Sequence, residues 1–136
     1  ACDTLGDEEL KKQFAEMDLK ISHNIQNIAL DNGALNNERE NDKIDKKRVW
    51  WVEAESVVGF INAYQHSGEK KFLESARSVW EYIKAEMIDK REGSEWYSEV
   101  SYDHKPHDWK EIVGPWKCPY HNGRMCMEVI NRGVDF

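Results

Sequence analysis

Between residues 7 and 30, Leu10, Phe14, Met17, Ile21, Ile25 and Ile28 recur at steps of three and four, separated by polar residues. Side chains so spaced share one face of a helix, and the pattern predicts a single amphipathic helix with Asp31-Asn32-Gly33 as its stop. The stretch NNERENDKIDKKR, residues 36–48, has no periodicity and predicts an exposed loop. A second helix is expected from near Arg48 to just before Ser67-Gly68, with Trp50, Ala54, Val57, Ile61 and Tyr64 as its apolar stripe. A third, over about 69–90, carries Phe72, Ala76, Val79, Trp80, Ile83 and Met87, and the tight turn between them makes a helical hairpin.

Beyond Arg91-Glu92-Gly93 the pattern changes. EWYSEVSYDHKP, residues 95–106, has aromatic and β-branched residues around a turn and predicts a small ribbon or extended loop. VGPWKCPYH, residues 113–121, contains two prolines that forbid regular helix. A last helix over about 121–132 carries Met125, Cys126, Val129 and Ile130. The reading is all-α: four helices and one small extended excursion. Long connections before the second and fourth helices, against a tight one between the second and third, favour paired helices in two layers over a simple four-helix bundle.

Composition narrows the class. A chain of 136 residues, 40% hydrophobic and 33% charged, suits one globular domain rather than a disordered one. The net charge of −7, with basic residues scattered among acidic ones, argues against nucleic acid, which wants a basic face. No apolar run reaches membrane-spanning length and no signal peptide is visible. Three cysteines, Cys2, Cys118 and Cys126, form no CxxC pair, so reduced thiols in a cytoplasmic protein are expected rather than a disulfide framework. Six tryptophans are many for this length, and their placement directs attention to two segments.

The first is RVWWVEAESVVGFINAY, residues 48–64, where Trp51 and Glu55 fall on one helix face beside the apolar stripe. A core rejects an unpaired carboxylate. Either this is a surface edge with a half-buried indole, or it is an indole platform for a sugar with an ionisable group beside it. The second is GPWKCPYHNGR, residues 114–124, with Trp116 and His121 on a proline-stiffened segment entering a helix. Cys118 with His121 lacks the companions of a zinc site. A thiol nucleophile at Cys118 has no obligatory base, and His121 alone can be a structural histidine capping the helix. His23, His66, His104 and His107 read as exposed and are given no role.

The segments 48–64, GEKKFLESARSVWEYIKAEMID (68–89) and GPWKCPYHNGRMCMEVI (114–130) together resemble the N-acylglucosamine 2-epimerase family. LGDEEL (5–10) and DNGALNNE (31–38) match it in the same order, so the resemblance spans nearly the whole chain. PWKCPYHN favours its disaccharide-acting branch. The resemblance implies an (α/α)6 barrel of which residues 1–136 are the C-terminal part, since four helices cannot close a ring of twelve. The family's His-x-x-Glu motif lies upstream of the LGDEEL-like segment, before this sequence starts. SHNIQ (22–26) has Gln at the fourth position of such a motif and does not inherit its role.

The implied activity is inversion of C2 at the reducing-end sugar of a β-1,4-linked disaccharide such as cellobiose, through an enediolate, without metal or cofactor. His121 would be one catalytic acid/base, Glu55 would orient it or bind sugar hydroxyls, and Trp51 and Trp116 would stack on the disaccharide. Glu55 and His121 should therefore converge. The chain alone is expected to epimerise inefficiently, and either the polypeptide extends upstream of Ala1 or the chain self-associates through exposed helix faces. Two rivals remain: a fragment of an (α/α)6-barrel glycoside hydrolase, and a non-catalytic carbohydrate-binding or helical interaction module.

Overall fold

The structure, a computed structural model, describes residues 2–136. A short helix α1, Cys2–Leu5, precedes the long helix α2, Glu8–Ile28. Asp7 caps α2 by accepting the Leu10 N–H at 2.9 Å, and Glu8 and Glu9 complement the helix dipole in its first turn. No residue of α2 is buried. Phe14, Met17, Ile21 and Ile28 are each more than two-fifths exposed, while Leu19 and Ile25 lean on the core.

Asp31-Asn32-Gly33 does more than stop the helix. Leu30–Asp31 (β1) pairs antiparallel with Ala34–Leu35 (β2), and both Asn32 and Gly33 have positive φ, the requirement of a two-residue primed turn. The segment expected to be an exposed loop is also a hairpin: Glu38–Glu40 (β3) pairs with Lys43–Asp45 (β4) around Asn41. It is mostly exposed and almost wholly polar, so no alternation betrayed it.

Arg48–Val49 (β5) leads directly into α3, Trp50–Ser67, which ends at the left-handed Gly68. Helix α4 is regular only over Lys70–Tyr82 and continues as a π-helical turn, Ile83–Met87. The core lies between α3 and α4: Ala54, Val57 and Ile61 are fully buried, as are Phe72, Ala76, Val79, Ile83 and Met87. Phe60 stacks near-parallel on Phe72, with ring centroids 6.2 Å apart. The expected ribbon exists, Val100 bridging Pro106 across the turn, and its first strand also pairs far back in the chain. Glu99–Val100 (β6) pairs antiparallel with β5, and Trp96 bridges to Ile88. Residues 95–100 are thereby clamped beside the first turn of α3.

The last helix, α5, spans Tyr120–Asn131 and packs on α3. Of its expected stripe only Met125 is buried and Val129 half-buried; Cys126 is exposed and Ile130 is 76% exposed. Among the described residues, no helix is long and apolar enough to cross a membrane.

Candidate functional site

The site forms where the N-termini of α3 and α5 meet. The Trp50 N–H donates to the Ser98 carbonyl at 3.2 Å, tying the first turn of α3 to the ribbon. The helical period then turns Trp50, Glu53, Ala54 and Val57 inward and leaves Trp51 and Glu55 at the rim, Trp51 being 43% exposed. On the other side, the segment before α5 is held by Glu95, which accepts from the nearly buried Lys117 ammonium and from the Asn122 side chain. Lys117 also lies over the Trp50 indole, 5.5 Å from its ring centre.

This anchoring presents His121, in the first turn of α5, to Glu55. His121 Nδ1 and Glu55 Oε1 are 2.9 Å apart, and Arg124 Nη1 donates to Glu55 Oε2 at 2.5 Å. Burial pushes the Glu55 carboxyl up, but hydrogen bonds from His121 and Arg124 and their charges outweigh it, leaving it below its ordinary value. Near neutral pH Glu55 is therefore a carboxylate and can only accept. The proton of this bond sits on His121 Nδ1, which leaves Nε2 as the free ring nitrogen. Around the imidazole stand Trp51 (centroids 6.0 Å apart, tilted), Trp50 (6.5 Å, edge-on) and Tyr120 (5.1 Å, edge-on).

Trp51 and Glu55 line a recess of about 330 Å³ with Ser22 and Ile25 of α2 and Asn36 beyond β2. Glu55 and Arg124 also border a second recess of about 350 Å³, with Asn62 and Arg132. Trp116 stands apart. It is 89% exposed and borders a third recess, of about 650 Å³, with Trp50, Ser98, Trp109 and Lys110. The structure thus gathers Trp51, Glu55 and His121, while Trp116 shares a separate recess with Trp50.

Arg124 and Trp50 went unread in the sequence as site residues. Arg124 lies three residues after His121, on the same helix face, which is the one signal that pointed to it. Nor is His107 a free loop residue: it bonds Glu99 at 3.1 Å and packs on Trp109, with centroids 4.4 Å apart. Cys118 and Cys126 are free and exposed. Among the described residues, no three His, Cys, Asp or Glu side chains converge as a metal site would require.

The family model described as N-acylglucosamine 2-epimerase (GlcNAc 2-epimerase) matches residues 14–123, which take in Trp51, Glu55, Trp116 and His121. The chain belongs to the N-acylglucosamine 2-epimerase family. Within that family it is 81% identical over 135 residues to a cellobiose 2-epimerase of Ruminococcus albus, covering 99% of this chain and 35% of that protein. It is 45% identical over 128 residues to the cellobiose 2-epimerase of Dictyoglomus turgidum, covering 94% and 33%. A crystal structure of a sugar epimerase from a ruminal bacterium superposes with a TM-score of 0.97 at 80% identity, over 99% of this chain and 35% of that one. The chain thus spans about a third of the length of its epimerase relatives, and its helices are part of their (α/α)6 barrel fold.

Proposed function

We propose that this chain carries one acid–base centre of a sugar 2-epimerase that inverts C2 of the reducing-end sugar of a β-1,4-linked disaccharide such as cellobiose. The observation that carries the reading is the His121–Glu55 pair, with Nε2 of His121 free beside an indole, in a chain so similar to cellobiose 2-epimerases. The C2 proton is acidic only when the sugar ring opens and C1 becomes an aldehyde. Nε2 of His121 exchanges a proton with C2 on one face, and the electron pair left behind delocalises as an enediolate. A second acid/base group must act on the opposite face. Glu55 holds the imidazole in the required tautomer and stabilises the imidazolium formed when Nε2 takes the proton. Trp51 provides a stacking surface for the sugar undergoing reaction and Trp116 for the remainder of the disaccharide.

Residues 1–136 form in this reading part of a larger barrel domain, and the small-molecule sugar is the partner. The free, exposed thiols suit a reducing compartment such as the cytoplasm. The glycoside hydrolase alternative needs two carboxyl groups flanking a glycosidic bond, one of them a proton donor. Both oxygens of Glu55 are instead committed to cationic or proton-donating partners.

The test is solvent deuterium incorporation at C2 in a full-length epimerase that contains this segment. His121→Asn should reduce exchange by at least about 100-fold, within the usual range for a lost general acid/base, while the disaccharide still binds. Wild-type exchange in that variant would remove His121 from the mechanism.

A further inference from the structure

His121 and Arg124 lie on one face of α5 and grip the two oxygens of the same carboxylate, that of Glu55 on α3. Glu55 is 34% exposed in its side chain, so nothing in the packing alone fixes the direction of its terminal group. A glutamate in that setting samples several rotamers. The bond from Arg124 to Oε2 removes that freedom and leaves Oε1 aimed at His121 Nδ1. It also occupies an acceptor position of Oε2 that would otherwise be open to a sugar hydroxyl.

The charged surroundings are few. On α5, Glu128 and the Tyr120 phenol act on Arg124, and Arg132 is held by Glu128, Asn62 and Gln65. From α2, Asp18 lines the recess that Glu55 and Arg124 share. Beyond Trp50, Lys117 and Glu95 bond to each other. Arg124 is therefore the principal cation holding Glu55 ionised besides His121 itself.

We propose that Arg124 is a positioning residue for the reaction: by clamping Oε2 it dedicates Glu55 to orienting His121 rather than to binding sugar hydroxyls. The proposal rests on His121 being the proton-transfer group, as argued above. Its consequence is specific to pH. Without Arg124, Glu55 loses one of the two partners that depress its pKa and takes up a proton at higher pH. A protonated Glu55 no longer accepts from Nδ1–H as a carboxylate does. The acid limb of the activity profile then moves upward, as the loss of a neighbouring positive charge requires.

The experiment uses Arg124→Gln in a full-length epimerase carrying this segment, with cellobiose as substrate. The kcat for C2 exchange should fall by roughly tenfold or more, the scale of a misplaced catalytic group, while KM changes by less than about threefold. The acid limb of kcat/KM should rise by about one pH unit, the lower end of what an adjacent Arg does to a carboxylate. In a Glu55→Gln background, Arg124→Gln should add almost nothing, because the clamp has lost its target. A wild-type acid limb in Arg124→Gln would overturn the proposal, whether the rate is unchanged or uniformly lowered, because a merely structural role leaves the limb in place. Should that variant fail to fold, Arg124→Lys decides instead. A several-fold lower kcat at unchanged KM supports the clamp, and wild-type kcat overturns it. His121→Asn, run alongside, separates the two failures: if it retains exchange, the underlying mechanism is wrong; if it loses exchange while Arg124→Gln behaves as wild type, only the clamp is wrong.

Discussion

Two residues before Glu55, Glu53 offers a sharper physical test than the site itself. Its side chain is fully buried, and both of its oxygens lie 3.0–3.1 Å from a single donor, the Leu35 N–H of β2. The buried Arg48 guanidinium contributes its charge but directs hydrogen bonds to Asn36 Oδ1 and the Asp31 carbonyl, each at 2.8 Å. Burial therefore pushes the Glu53 carboxyl up to about 8, against the opposing pull of the Leu35 N–H and the Arg48 charge. In the unfolded chain the same group titrates near 4.5. Between those values the native state holds a proton that the unfolded chain has released, so stability falls as pH rises. The contribution is complete below about 4.5 and exhausted above about 8. At about 1.4 kcal/mol for each pH unit, its ceiling is about 5 kcal/mol. Glu53→Gln keeps the shape and an acceptor for Leu35 but cannot titrate. We expect the melting temperature of the wild-type chain to drop relative to Glu53→Gln by roughly 5 °C per pH unit across this window. Thermal unfolding followed by circular dichroism at several pH values measures the difference directly. Parallel curves for the two proteins would refute the reasoning and show that Glu53 is ionised in the fold.

Two further outcomes follow from the exposed surfaces. Trp51→Ala and Trp116→Ala should each weaken disaccharide binding to the full-length enzyme, by about 1–3 kcal/mol for a buried stacking contact. Calorimetric titration with a β-1,4-linked disaccharide checks this, and unchanged affinity in either variant removes that indole from the site. The open stripe of Phe14, Met17, Ile21 and Ile28 on α2 should make the 136-residue chain self-associate, as contiguous exposed apolar faces do. Light scattering reports it, and a concentration-independent monomer that binds no apolar dye would show that this face tolerates water.

The helices were legible because their signal is local. Apolar residues at steps of three and four place α2, α3, α4 and α5 within a few residues of their observed positions, apart from the π-helical end of α4. The two hairpins before α3 were not legible. Polar on both faces, β3 and β4 produce no alternation, and Asp31-Asn32-Gly33 reads equally as a helix stop or as a primed turn until its partner strand is known. The likeness of two tryptophan-containing segments to an epimerase family singled out Glu55 and His121, 66 residues apart in the chain, and their 2.9 Å contact supplies the geometry.

What no local pattern decides is which carboxylate of a helix is buried. The rule that a core excludes an unpaired charge was applied to Glu55, yet Glu53 is the one enclosed, because the Leu35 N–H of β2 meets it there and burial keeps it protonated up to about 8. The same holds for Arg124, which meets Glu55 across a separation of 69 residues in the chain. Periodicity is a property of neighbours along the chain and survives in the sequence. A polar group's burial depends on where its partners come to lie, and only the folded arrangement of distant segments determines that.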